Sequence, residues 1–282
     1  MQGKICLVTG ANAGLGKATS IGLARRGARV VMVCRNRERG EAARSEIIAA
    51  SGSQTVDLLL ADLSSQQSLR QLAQDFKARY PRLDVLVNNA GGVFMQRQVT
   101  ADGLEYSFAF NHLAPFLLTH LLLDVVQASA PARIVNVTTR LTGGSAMNFE
   151  DLQFERRTYS GFQSYTETKL GNILFTYALA RRLQGTGVTV NCVHPGVFRS
   201  NFGSEGMPAP MRVIVALSRP FMAAAEQAAE RVLYAATAPE LEGVSGKYFG
   251  AKKELTSPRQ SYDQAAQERL WQVSEQLTGL KS

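Results

Sequence analysis

Tyr165 and Lys169 are separated by Thr166-Glu167-Thr168, so on a helix they stand one turn apart on one face. A carbonyl that accepts a hydride builds negative charge on its oxygen, and a site for that step needs a proton donor and a charge stabiliser near that atom. A phenol supplies the proton. Its pKa is ordinarily about 10, and a neighbouring ammonium favours the phenolate, which is expected to bring Tyr165 closer to working pH. The spacing alone fits better a partly exposed helix face with one amphipathic aromatic and one solvated charge. The rest of the sequence decides between the two.

Upstream, Thr9-Gly10-Ala11-Asn12-Ala13-Gly14-Leu15-Gly16 follows an apolar run and opens a helical pattern. Glycines there permit a tight turn and let backbone N–H groups approach a pyrophosphate at the helix N-terminus, where the dipole favours negative charge. The spacing is Gly-x3-Gly-x-Gly rather than the more general Gly-x-Gly-x-x-Gly. Further on come Asp62-Leu63 after the third strand, Asn88-Asn89-Ala90-Gly91 after the fourth, Asn111 in the next helix, and then Tyr165 and Lys169. Each could occur by chance, but the ordered set is specific.

That set resembles the short-chain dehydrogenase/reductase family. The segments SAPARIVNV, LARRLQGTGVT, HPGVFRS, SGKYF and ERLWQVSEQL are similar to its retinol dehydrogenase-like branch, and the resemblance covers nearly the whole chain. It implies reduction of a carbonyl, or oxidation of the corresponding alcohol, with a nicotinamide cofactor; the apolar residues of 198–221 suggest that this small-molecule substrate is hydrophobic. It places Tyr165 as acid/base, Lys169 on the nicotinamide ribose hydroxyls, and Asn111 holding a water between Lys169 and solvent. The cofactor would be held by Gly10, Asn12, Ala13, Gly14, Leu15, Gly16, Asp62, Leu63, Asn89, Ala90, Gly91, Tyr165, Lys169, Pro195, Gly196 and Val197. A homodimer or homotetramer is also implied.

Two positions refine this. The second strand ends in Cys34-Arg35-Asn36, where an NAD-preferring enzyme would carry an acidic residue for the ribose 2′-hydroxyl, so Arg35 points to NADP(H), with Asn36 beside it and Arg37 assisting. The family usually has Ser at the end of the fifth strand; this chain reads Asn136-Val137-Thr138-Thr139, which puts Thr139 at that place. Its hydroxyl can still donate to the substrate oxygen, while its extra methyl restricts χ1 and takes space. Ser145, beyond Gly143-Gly144, is the weaker substitute.

These residues must be placed by a scaffold. Apolar runs at Ile5–Thr9, Val30–Val33, Val56–Leu60, Val85–Val87, Ile134–Val137, Val188–Val193 and, more weakly, Lys247–Phe249 alternate with helical patterns at Lys17–Arg26, Arg37–Ala50, Ser68–Tyr80, Leu104–Val126 and Ser164–Leu183. Alternation of this kind gives an α/β fold of βαβ units, a doubly wound Rossmann sheet, mostly parallel and seven-stranded, with helices on both faces. Residues 1–282 are expected to form a single domain, with 196–222, rich in Gly, Pro and apolar residues, as a substrate-covering segment.

Composition excludes several classes. Apolar residues at 45% and charged residues at 19% describe a globular chain. The net charge of +8 suits an anionic ligand, but Arg and Lys are scattered and no nucleic-acid motif accompanies them, so no nucleic-acid partner is expected. Cys6, Cys34 and Cys192 sit in separate apolar runs and read as reduced core thiols. His112, His120 and His194 have no metal-ligand spacing and read as hydrogen-bonded structural residues; no metal is expected. Met1-Gln2-Gly3-Lys4 leads straight into a strand, leaving no room for a signal segment. The longest apolar stretch, 113–126, is interrupted by Pro115, His120 and Asp124 and falls short of the roughly 20 residues of a membrane span. A soluble cytoplasmic chain is the expectation. The rival to an enzyme is a sensor or scaffold of the same fold that holds NADP(H) without turnover; such relatives typically lose the Tyr and Lys kept here.

Overall fold

A computed structural model describes residues 1–196 and 224–280. The strands are β1 (Ile5–Thr9), β2 (Arg29–Cys34), β3 (Val56–Leu60), β4 (Val85–Asn88), β5 (Ala132–Val137), β6 (Val188–His194), β7 (Tyr248–Gly250) and β8 (Lys253–Glu254), in the order β3-β2-β1-β4-β5-β6-β7-β8. Neighbours from β3 to β7 pair in parallel. The sheet has eight strands among the described residues, not the expected seven. β8 is a two-residue exposed strand, antiparallel to β7, and carries no apolar run to announce it. Its turn is Ala251-Lys252, both at positive φ, a hairpin geometry usually signalled by Asn-Gly or Gly.

The helices are α1 (Gly14–Arg25), α2 (Arg37–Ser51), α3 (Gln66–Arg79), α4 (Tyr106–Ala128), α5 (Gly161–Arg182), α6 (Ala225–Thr237) and α7 (Gln264–Thr278). β1, β4 and β5 are buried at nearly every position, so the sheet is covered on both faces. One core layer joins Leu15 and Leu23 of α1, Ile47 of α2 and Leu233 of α6 to the sheet; the other joins Phe76 of α3, Leu117 of α4 and Phe175 of α5. α7 lies outside α5 and sends Trp271 into the second layer.

α4 corrects one expectation. The helix expected over Leu104–Val126 forms, but Pro115, His120 and Asp124 do not shorten its apolar stretch as expected: the run is 23 residues long and apolar enough, by length and composition, to cross a membrane. Its apolar face is spent inside the protein, with Phe116, Leu117, Leu118, Leu122 and Val126 buried in the core. Each such side chain contributes about 1.5–3 kcal/mol by leaving water. Within this run, Ala109–Leu113 forms a π-helical turn.

The order of strands reverses between β1 and β4, which neighbour each other while their next strands lie on opposite sides. Crevices at such a switch point, beyond the carboxyl ends of the strands, are where open α/β sheets bind ligands. The ends of β1, β2, β4, β5 and β6 carry Gly10, Arg35, Asn89, Thr139 and Pro195 to that edge.

Candidate active site

The first turn is built for close approach. Gly10 sits at φ +66°, and a side chain on Gly16 would collide with the Gly10 carbonyl and press on the Asn89 amide, so the turn closes only with glycine there. Asn89 Nδ2 donates to the Thr9 carbonyl (2.7 Å), and Thr9 Oγ1 accepts from the backbone N–H groups of Asn89 and Ala90, both at 3.0 Å. The end of β4 is thereby stitched to the glycine turn. Ala13, which caps α1, has no side chain to satisfy the first N–H groups, whereas Asn36, Ser65, Ser160 and Asp263 accept from the first turns of α2, α3, α5 and α7. Asn12, Gly14 and Leu15 complete a helix end with donors left over, which suits an anion.

Beyond β2, the Arg35 side chain is 70% exposed and its Nη1 lies 3.9 Å from Asp62 Oδ2. Asn36 is occupied differently: its Oδ1 accepts from Arg39 N at 2.9 Å and starts α2. Asp62 takes the backbone N–H and hydroxyl of Ser64, and Leu63 is buried beside it.

On the other side of the crevice, Asn111 lies in the π turn of α4. Its Oδ1 accepts from Gly92 N (2.8 Å), and its Nδ2 donates to Gly92 O (2.9 Å) and Ser107 Oγ (3.1 Å), locking the loop after β4 to the helix. Lys169 is buried, and its Nζ donates to Val137 O at 3.0 Å. The Cβ position of Gly91 lies 2.8 Å from that Nζ and 3.3 Å from Asn111 Oδ1, so both groups flank Gly91. Thr138 Oγ1 donates to Lys169 O at 2.9 Å, tying the end of β5 to α5.

Thr139 meets Tyr165. The Thr139 hydroxyl stands by the phenol, whose ionised form it favours, and Tyr248 from β7 donates to the Thr139 carbonyl at 2.9 Å, fixing the residue from behind. Ser145 turns elsewhere, onto Thr142 Oγ1 at 3.1 Å. Tyr165 runs against the expected direction of its pKa. Burial pushes the phenol above the ordinary tyrosine range, with the Thr139 hydroxyl opposing it. Lys169 Nζ stands 5.7 Å from the Tyr165 ring centroid, and burial lowers its own pKa to about 8. Desolvation of the phenol sets the direction here.

Pro195 and Gly196 follow β6, with Gly196 at φ +90°. The guanidinium of Arg231, from α6, occupies the place a Gly196 side chain would need, and no motif marked that residue. Val197 and nearly all of the 196–222 segment lie outside the described residues. His112, His120 and His194 all have hydrogen-bond partners.

The chain is similar to known proteins over nearly its whole length. The model of the family described as short chain dehydrogenase matches residues 4–208. Retinol dehydrogenase 14 of Mus musculus is 44% identical, covering 99% of this chain and 87% of its own. Retinol dehydrogenase 12 of Homo sapiens is also 44% identical, covering 100% and 88%. Among solved structures, an uncharacterized protein from Mycobacterium Paratuberculosis superposes with a TM-score of 0.80 at 30% identity, covering 99% and 94%. A Pseudomonas aeruginosa RhlG/NADP active-site complex gives 0.67 at 26%, covering 89% and 95%.

Proposed function

The chain belongs to the short chain dehydrogenase family, and on that footing we propose that it interconverts a hydrophobic alcohol and its aldehyde or ketone with NADP(H). The observation that carries the reading is the contact of Tyr165 with Thr139 at the ends of α5 and β5, with buried Lys169 one turn behind.

The glycine turn fits a dinucleotide. It leaves the first N–H groups of α1 without a side-chain cap and has no room for a Cβ at Gly16. Gly10, Asn12, Ala13, Gly14, Leu15 and Gly16 would hold the pyrophosphate, and Asp62, Leu63, Asn89, Ala90, Gly91, Pro195, Gly196 and Val197 the rest of the cofactor. NADP(H), when bound, donates or takes up the hydride. Arg35 faces the 2′-phosphate: an exposed guanidinium whose nearest carboxylate is at 3.9 Å keeps its fork of donors available for bidentate pairing.

Tyr165 holds the proton. Its raised pKa keeps the phenol protonated at neutral pH, as a donor to a reducing carbonyl must be. Thr139 orients that oxygen and stabilises its developing charge through its hydroxyl. Lys169 presents a buried cation to the ribose hydroxyls, and Asn111 keeps Gly91 and Gly92 in place beside it.

The test is cofactor consumption, with NADPH and with NADH, against a panel of aldehydes and ketones of increasing apolar bulk. Turnover faster with NADPH is the expected result. Binding of NADPH with no turnover across the panel would favour a cofactor-holding sensor.

A further inference from the structure

Resting on that functional reading, we propose that Asn172, backed by His112 and Ser274, is the positioning device that holds Asn111 in the site. Asn111 has a problem set by the sequence. In a regular helix its carbonyl would accept from the N–H four residues on, but that residue is Pro115, which has none and whose ring crowds the carbonyl. α4 opens into its π turn over these residues, and the Asn111 carbonyl, buried, needs another donor.

Asn172 Nδ2 supplies it at 2.9 Å. That bond fixes the orientation of everything behind it. A carbonyl only accepts, so the amide nitrogen of Asn172 must face Asn111 and its Oδ1 must face His112 Nδ1, 3.2 Å away. His112 therefore carries its proton on Nδ1. Its Nε2 is left as an acceptor, and Ser274 Oγ on α7 lies 3.0 Å from it. Burial holds the ring neutral, lowering its pKa to about 4, so the single ring proton is on one nitrogen. The Ser274 hydroxyl also lies 2.7 Å from the Leu270 carbonyl, so its one proton serves either that oxygen or His112 Nε2; the directed part of the chain is His112 Nδ1–H to Asn172 Oδ1 and Asn172 Nδ2–H to the Asn111 carbonyl. All four residues are buried. Asn172 is three residues from Lys169 on α5, so the device also couples the Asn111 turn to the helix bearing Tyr165 and Lys169.

The experiment compares Asn172→Ala, His112→Leu and His112→Asn with the wild-type chain, after each is shown to fold. His112→Asn keeps an N–H facing Asn172, and His112→Leu does not. Asn172→Ala and His112→Leu are expected to lower kcat by about 10-fold, as small misplacements of a positioned group do. KM for the carbonyl and Kd for NADPH should stay within about twofold, and His112→Asn should recover most of the loss; a purely structural role would not give that split or that rescue. Hydrogen exchange of the amides at 109–116 is measured alongside and should quicken in Asn172→Ala. Wild-type kcat in Asn172→Ala, or equal losses in His112→Asn and His112→Leu, would overturn the proposal. Should the wild-type chain turn over no carbonyl, the functional reading fails, and the exchange measurement decides alone: unchanged protection over 109–116 overturns the positioning role, and faster exchange upholds it.

Discussion

The two sides of the crevice hold their polar groups in opposite ways. On the β1 to β3 side, Arg35 stands in solvent and Ala13 leaves the start of α1 without a side-chain cap. On the β4 to β6 side, Asn88 donates to Asn136 and Thr119, Asn136 to Thr176, Thr176 to the Asn172 carbonyl, and Lys169 to Val137, all buried. The first side keeps donors open for a ligand's charge; the second spends them on one another to fix geometry. Removing a partner on the second side strands a buried polar group, at about 1–3 kcal/mol each. Changes on the first side should alter which ligand is held, and changes on the second how fast the site works.

The largest effect that sharpens this contrast is expected from Tyr165→Phe. Turnover should fall by roughly 10²- to 10⁴-fold while folding and NADPH binding persist; near-normal turnover in the folded variant would remove the proton-donor role. Next is Thr139. The nearly isosteric Thr139→Val should lose on the order of 10²- to 10³-fold in kcat, whereas Thr139→Ser should keep or raise activity. Steady-state kinetics on both decide whether the hydroxyl or the β-branch matters.

Arg35→Ala probes the open side. The preference for NADPH over NADH should drop by more than the roughly fivefold that a 1 kcal/mol surface ion pair represents, with kcat at saturating cofactor little changed. An unchanged preference would place Arg35 in solvent with no ligand role.

The smallest effect is in stability. Burial holds the Lys169 pKa at about 8, below its ordinary 10.5, so between these values the unfolded chain binds the more protons and this lysine's contribution to stability rises with pH. Buried Cys6 and Cys192, raised by desolvation, act in the opposite sense above about pH 9, so the comparison must be differential. Urea unfolding of wild type and Lys169→Met at pH 8 and pH 10 should show the variant losing the lysine's upward contribution; parallel pH dependences would mean that Lys169 is not desolvated.

Much of the scaffold was legible because buried parallel strands are continuous apolar runs: β1 and β3 have the ends that their β-branched residues indicate. α6 and α7 were not. Both are amphipathic, with Ala228, Ala229, Val232, Leu233, Ala235 and Ala236 of α6 and Ala266, Leu270 and Trp271 of α7 buried at helical spacing, but most of these are small alanines set among polar residues, so no apolar run stands out. At the candidate site, helical spacing put Tyr165 beside Lys169, and the family resemblance put Thr139 at the end of the fifth strand. What spacing could not show was the sign of the Tyr165 shift, which depends on burial, or the partners of His112. Pro115 was read as an interruption of an apolar stretch, yet its lasting mark is on a carbonyl four residues earlier.

The bond between His112 and Ser274 spans 162 positions of sequence. A chain is made from its N-terminus, so the glycine turn, Asn111, Tyr165 and Lys169 have all been synthesised before α7 exists. During synthesis the His112 ring has its Asn172 partner available but not its second one. Only when α7 has left the ribosome can Ser274 reach the buried imidazole, and the order of translation thus makes α7 a closing piece of a site whose reacting groups come much earlier.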